Sequence, residues 1–164
     1  MERTLILLKP DAVDRGLTGE ILSRFERTGL KIAGLKLLHP TKEQAGKHYT
    51  EDLAIRRGEH VRTAMIDMIT SAPVVAICLE GVESVELVRK MVGATEPKSA
   101  APGTIRGDYA HVSFKHADEK QIGLKNLIHA SSSVDEANQE IAVWFTPEEL
   151  FDHKPAYTNN TITY

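Results

Sequence analysis

The sequence predicts an α+β domain: a four-stranded antiparallel sheet in βαββαβ order, covered on one face by helices and carrying some beyond that minimum. Three observations carry the prediction. Short apolar runs of strand length stand at 4–8, 30–38, 74–79 and 127–130. Segments with apolar residues at three- and four-residue steps lie between them, as amphipathic helices require. Finally, 164 residues at 41% hydrophobic and 26% charged suffice for one proper core and would be cramped as two. With no internal repeat, low-complexity tract or linker, 1–164 is expected to form a single domain.

The first run ends at Lys9-Pro10-Asp11, so a buried strand delivers those residues into a loop that Asp14-Arg15-Gly16 continues. Ile21, Leu22 and Phe25 then keep helical spacing, and Gly29 supplies a left-handed stop before the second strand. Thr41 followed by Gln44 has capping-box spacing and begins a short helix through Tyr49. Val61, Ala64, Met65, Met68 and Ile69 fall at i, i+3, i+4, i+7 and i+8, the stripe of a helix that Pro73 closes. The unbroken apolar run 74–79 suits a central strand.

Ser84 is placed to cap a further helix bearing Val85, Val88, Met91 and Val92. From 93 to 125 the chain reads mostly as loop, longer than an ordinary connection and punctuated by Pro97, Pro102, Gly103 and Gly107. After the fourth strand, Ser133 and Glu136 have capping-box spacing, and Val134, Ala137, Ile141 and Trp144 mark the inward face of a helix. Thr146-Pro147-Glu148-Glu149 opens a last short helix. The polar tail 154–164 lacks helical period.

Charge and composition narrow the function. Twenty basic against 23 acidic residues give a formal charge of -3, which offers no general attraction for nucleic acid or an anionic membrane. Any phosphate must be gripped locally. The sole cysteine, Cys78, lies in an apolar run and reads as a core residue. The N-terminal apolar stretch is too short for a signal segment or a membrane span, so a cytoplasmic location is expected.

His129 and Glu140 are the residues on which a function can be staked. Glu140 lies three after Ala137, on or beside the inward face of its helix, where a carboxylate is costly unless a charged or hydrogen-bonding group meets it. His129 sits between Ile128 and Ala130 in a strand expected to lie inside the sheet. A satisfied core histidine is the plain reading. A carboxylate holding one ring nitrogen would instead leave the other free to attack. Ser131 can donate to either partner.

The other six histidines, His39, His48, His60, His111, His116 and His153, read as surface residues, and no pair has the spacing of a zinc site. Lys9, at a strand end beside a proline, is placed to meet an anion, although alone it reads first as a solvated lysine. Around Arg106, in Pro102-Gly103-Thr104-Ile105-Arg106-Gly107-Asp108, two glycines permit close backbone approach and the arginine supplies a forked donor for phosphate. Neither a Walker loop nor G-x-G-x-x-G is present, so side chains must do the gripping. Arg89 can reach from the shoulder of its helix. Tyr49 and Thr95 each read either as surface residues or as hydroxyls aimed at phosphate, and Asn126 stands where a ligand hydroxyl could be bonded.

Taken together, Lys9-Pro10-Asp11, Gly19-Glu20-Ile21, Arg89, Gly93-Ala94-Thr95, the Arg106 loop, Asn126-Leu127-Ile128-His129-Ala130-Ser131 and Trp144-Phe145-Thr146-Pro147-Glu148-Glu149-Leu150 resemble nucleoside diphosphate kinase. The resemblance runs through nearly the whole chain. It implies a ferredoxin-like sandwich, Mg2+, ATP with other nucleoside tri- and diphosphates as substrates, and a homo-oligomer, either hexamer or tetramer. It further implies ping-pong transfer through a phosphohistidine on His129, oriented by Glu140. Lys9 and Tyr49 would address the transferring phosphate, Arg89, Thr95 and Arg106 the others, and Asn126 with Lys9 the sugar. No residue is implied as a dedicated metal ligand.

Three departures from the family pattern stand out. The stretch between Tyr49 and Val61 is longer than usual and lacks the phenylalanine that stacks on the base, for which Ile55, His60 or Val61 could substitute. Residues 111–125 carry an insertion, read as a flap or a subunit contact. Ser132 stands where many relatives have aspartate. The competing classes are an RNA-recognition module, disfavoured by 5% aromatic residues and negative charge, and a nucleotide sensor without turnover, which gives no reason for a buried histidine–glutamate pair.

Overall fold

Leu5, Ile6, Leu7 and Leu8 are all 0% exposed, so the first strand has no solvent side and both faces of the sheet must be covered. The computed structural model describes residues 1–158, and the tail beyond Thr158 lies outside the described residues. The chain runs β1 (Glu2–Leu8), α1 (Pro10–Asp14), α2 (Thr18–Glu26), β2 (Lys31–Leu38), α3 (Lys42–His48), α4 (Glu51–Arg57), α5 (Glu59–Ile69) and β3 (Val74–Gly81). It continues through α6 (Ser84–Val92), α7 (Ile105–Tyr109), α8 (Phe114–Lys120), β4 (Ile128–Ala130) and α9 (Val134–Trp144). The sheet order is β2-β3-β1-β4 and every pairing is antiparallel. This is the ferredoxin-like arrangement.

The expectation of one covered face is corrected by the alternation along β1. Ile6 and Leu8 join a core with Phe25 of α2, Val88 of α6 and Ile105 of α7. Leu5 and Leu7 join a second core with Ala45 of α3, Ile69 of α5 and Trp144 of α9. Successive side chains of a strand point to opposite faces, and an unbroken apolar strand therefore calls for helices on both sides. Cys78 is buried opposite Leu5. No helix of the described residues is long and apolar enough to cross a membrane.

Several local readings change. Lys9-Pro10-Asp11 begins a helix, with Lys9 at the N-cap and Pro10 in the first turn, where a fixed φ and a missing N–H cost nothing. Residues 51–57 form α4, and the span read as loop from 93 to 125 holds a 3-10 turn, Pro97–Ser99, together with α7 and α8. Thr104 and Ser113 cap these last two helices by accepting the Gly107 and His116 N–H groups at 3.1 and 3.2 Å. Helices this short carry too little apolar period to be read from sequence.

Ser84 is the first helical residue rather than the cap of α6. Glu83 holds the N-cap at φ 48, and the Ser84 hydroxyl donates to the Glu2 carbonyl at 3.0 Å. In α9 Val134 is exposed while Ala137, Glu140, Ile141 and Trp144 are buried. The Ser133 hydroxyl accepts from Glu136 N–H at 3.1 Å, but the Glu136 carboxylate accepts from the Ser132 N–H, so the capping box is half formed.

Gly107 fixes how closely α7 approaches the preceding chain. A Cβ there would sit 2.1 Å from the Ala101 carbonyl oxygen and 2.7 Å from its carbon, both backbone atoms that cannot swing away. Gly107→Ala is expected to lower stability by about 1–3 kcal/mol, the usual range for overpacking, as a lower midpoint with unchanged slope in urea titration.

Candidate active site

Strand register aims the central histidine. In β4 Ile128 and Ala130 face the first core, so His129, paired with Leu7 of β1, faces the second, where α3 and α9 lie. Glu140 reaches it from α9: His129 Nε2 stands 2.7 Å from Glu140 Oε1. The contact is not aligned as a hydrogen bond, and Nε2 is buried without such a partner, a common state before substrate tightens a site. The other carboxylate oxygen accepts from the Ser131 hydroxyl at 2.6 Å, and that hydroxyl oxygen accepts the Leu5 N–H at 3.2 Å. Glu140 is thereby tied to the sheet.

His48 belongs to this group, against the reading of it as a surface residue. Its side chain is 1% exposed, with Nδ1 3.4 Å from Glu140 Oε1. Its ring meets that of His129 edge-on, with centroids 4.5 Å apart. Trp144 Nε1–H donates to His48 Nδ1 at 3.3 Å. Burial, and then the neighbouring His129, push the His48 pKa down. Nothing near His48 in sequence betrays this, because its burial comes from docking the end of α3 on α9.

Burial first, and then the Lys9 charge, hold the His129 imidazole below its ordinary pKa, so it is neutral at neutral pH. Burial raises the Glu140 pKa. His48, His129 and Glu140 could each offer a metal one atom, within 4.8 Å of one another. The carboxylate, however, is already engaged by Ser131 and lies against His129, as suits an orienting group.

The histidine opens onto a cavity of about 1010 Å3 that also brings together Lys9, Tyr49, Arg89, Thr95, Arg106 and Asn126. Lys9 is 3% exposed rather than solvated, and its Nζ donates to Asn126 Oδ1 at 2.7 Å. Asn126 Nδ2 in turn donates to the Thr95 carbonyl at 2.8 Å. Burial, with the Arg106 charge adding to it, lowers the Lys9 pKa to about 7. Arg106 donates to the carbonyls of Asn126, Gly93 and Ile128 at 3.3, 2.9 and 2.6 Å, which leaves two of the five guanidinium N–H donors for a ligand. Burial and Arg89 lower its pKa to about 10.

Among the described residues none of Lys9, Arg89 and Arg106 forms an ion pair with a carboxylate. Lys9 and Arg106 are buried and Arg89 is exposed, and a positive floor of this kind favours an anion. The Tyr49 hydroxyl is buried without a partner, and burial, followed by Glu140, raises its pKa so that it remains a neutral donor. Of the candidates for contacting a base, His60 and Val61 line the cavity, whereas Ile55 is 84% exposed outside it. Residues 114–124 contribute a wall of the cavity rather than a loose flap.

The nucleoside diphosphate kinase family model matches residues 2–150. A nucleoside diphosphate kinase from Borreliella burgdorferi is 46% identical over 155 residues, covering 94% of this chain and 93% of its own. One from Pyrococcus furiosus is 51% identical over 155 residues, covering 93% and 88%. The solved transition-state mimic of the Borrelia burgdorferi kinase with bound vanadate and ADP superposes with a TM-score of 0.94 at 45% identity, covering 97% of this chain and 95% of that one.

The depressed Lys9 pKa has a sign that can be tested. A lysine with a pKa of about 7 is mostly neutral at pH 8, and a bound polyanion favours its charged form. Binding of tripolyphosphate at pH 8 is expected to take up close to one proton. Calorimetry in two buffers of different ionisation enthalpy reads the Lys9 contribution as the difference between variants, and Lys9→Met should take up close to one proton fewer per tripolyphosphate bound than the wild type.

Proposed function

Since the chain belongs to the nucleoside diphosphate kinase family, we propose that His129 is the carrier of the phosphoryl group it moves from nucleoside triphosphates to nucleoside diphosphates. In the first half-reaction the Nδ1 lone pair attacks the γ-phosphorus of ATP, the bond from that phosphorus to the bridging oxygen breaks, and ADP leaves with the electron pair. In the second, a terminal oxygen of another nucleoside diphosphate attacks the phosphohistidine and the N–P bond breaks. Support comes foremost from the placement of Glu140 against Nε2 of a neutral imidazole. Aligned as a hydrogen bond when substrate tightens the site, that contact places the ring proton on Nε2 and the nucleophilic lone pair on Nδ1.

The other roles follow from charge and reach. Lys9 and the Tyr49 hydroxyl donate to the transferring phosphoryl group, and Arg89, Thr95 and the two free N–H groups of Arg106 hold the remaining phosphates. Asn126, already bonded to Lys9, takes the sugar hydroxyls with it. Phosphoryl transfer rests on positioning and charge neutralisation, which these groups supply. Because they address phosphate and sugar, broad base tolerance is expected.

The donor set fits Mg2+ carried in on the phosphates better than Mg2+ held by protein. The site's cationic N–H groups face the anion, and the nearby carboxylates of Glu140 and Glu136 are engaged with Ser131 and Ser132. When bound with the nucleotide, Mg2+ would supply positive charge to the phosphates. We further propose that 1–164 acts as one catalytic domain within a homohexamer or homotetramer in the cytoplasm. Exposed Leu35 and Leu37 on the edge strand β2 support assembly, and a buried free thiol suits a reducing compartment.

Incubation with γ-labelled ATP and Mg2+ tests the reading. Label is expected on the protein in acid-labile, alkali-stable form, moving to GTP when GDP is added and missing from His129→Ala. Nucleotide binding without label in the wild-type chain would make the site a sensor instead.

A further inference from the structure

The cavity extends well past its cationic floor, between α4 and the start of α5 on one side and α8 on the other. Residues 111–125 are built firmly into that second wall. Ala117 and Leu124 are buried, and Gly123 packs on α5 so closely that a Cβ there would lie 2.9 Å from Met68 Cβ and 3.0 Å from the Ala64 carbonyl oxygen. The wall presents one large flat apolar face to the cavity. Phe114, at the first turn of α8, is half-buried and lines it, whereas Phe25 and Phe145 lie in the two cores and Phe151 is outside it. Opposite stands Arg57, the last residue of α4, its guanidinium 5.4 Å from the Phe114 ring centroid.

We propose that Phe114 is the base platform of this enzyme: the nucleobase stacks on its ring, displacing the Arg57 guanidinium that covers this face in the free protein. The inference rests on the phosphotransfer reading above. With phosphates held at His129, Lys9 and Arg106, and the sugar by Asn126, the base must project toward the mouth. Val61, on the facing wall, offers no planar surface, and the exposed His60 ring folds back against Gly58. A guanidinium resting on the ring marks the face as one that planar groups cover favourably. Aromatic stacking tolerates every base, because each has a π-face, and purines, with more overlap, should gain most. The insertion thus supplies what the chain lacks between Tyr49 and Val61.

The test compares ADP, CDP and tripolyphosphate, a polyanion that engages the cationic floor but has neither sugar nor base. Phe114→Ala is expected to raise the KM for ADP by about tenfold or more, the usual loss of a base–aromatic stack, with a smaller rise for CDP and a kcat within about twofold. Tripolyphosphate affinity should stay at the wild-type value. Phe114→Leu, which keeps apolar bulk and so guards against a folding defect, should also raise the KM, and Phe114→Trp should restore it. A wild-type KM in Phe114→Leu, or equal weakening of ADP and tripolyphosphate in Phe114→Ala, overturns the proposal. The ratio of ADP to tripolyphosphate Kd, read by calorimetry, decides this independently of turnover, so a wild-type chain that takes no label would refute the phosphotransfer reading separately.

Discussion

Three backbone carbonyls, from Gly93, Asn126 and Ile128, converge on the guanidinium of Arg106, and the rest of the site is arranged around that clasp. Between Asn126 and Ile128 the chain passes through Leu127 at φ 69, a left-handed conformation that a branched side chain rarely adopts. Arg106 holds the carbonyls on either side, and the Leu127 N–H donates to Asp11 Oδ2 at 3.0 Å. The turn so enforced sends Asn126 toward Lys9 and His129 toward α9. A lysine in place of Arg106 would lack the planar fork needed to reach three acceptors at once.

The same residue joins architecture to chemistry. Its N–H groups satisfy carbonyls that would otherwise be orphaned as the chain enters β4, yet its charge meets no carboxylate, so part of its electrostatic demand is left for a ligand. Lys9 stands in a similar position, bonded to a neutral amide and depressed by its surroundings. Burial that strains these cations also keeps the imidazole of His129 uncharged. A site open to water would leave the cations comfortable and the histidine partly protonated.

Much of this was legible in the sequence. The four apolar runs located the sheet, and the carboxylate of Glu140 on the buried stripe of α9 pointed to His129 before any geometry was known. Local rules were less able to show what distant packing creates. His48 looked solvated because Lys47 and Thr50 near it are polar and exposed, and its burial depends on Trp144, far along the chain. Helices α4, α7 and α8 leave no local signal, because five to seven residues give no measurable period. One covered face is the economical expectation, yet β1 itself argues against it, since four consecutive apolar residues, 5–8, leave neither face to spare for water.

The cationic floor also ties the durability of the fold to its surroundings. On the proposed function nucleotides bind the native cavity and find no such site on the unfolded chain, so by mass action each tenfold rise in free nucleotide beyond the dissociation constant adds about 1.4 kcal/mol to stability. Deprived of nucleotide, the protein must keep Lys9 and Arg106 buried without an anion. It then opens more often to proteases and aggregation, so its survival is coupled to the pool on which it works.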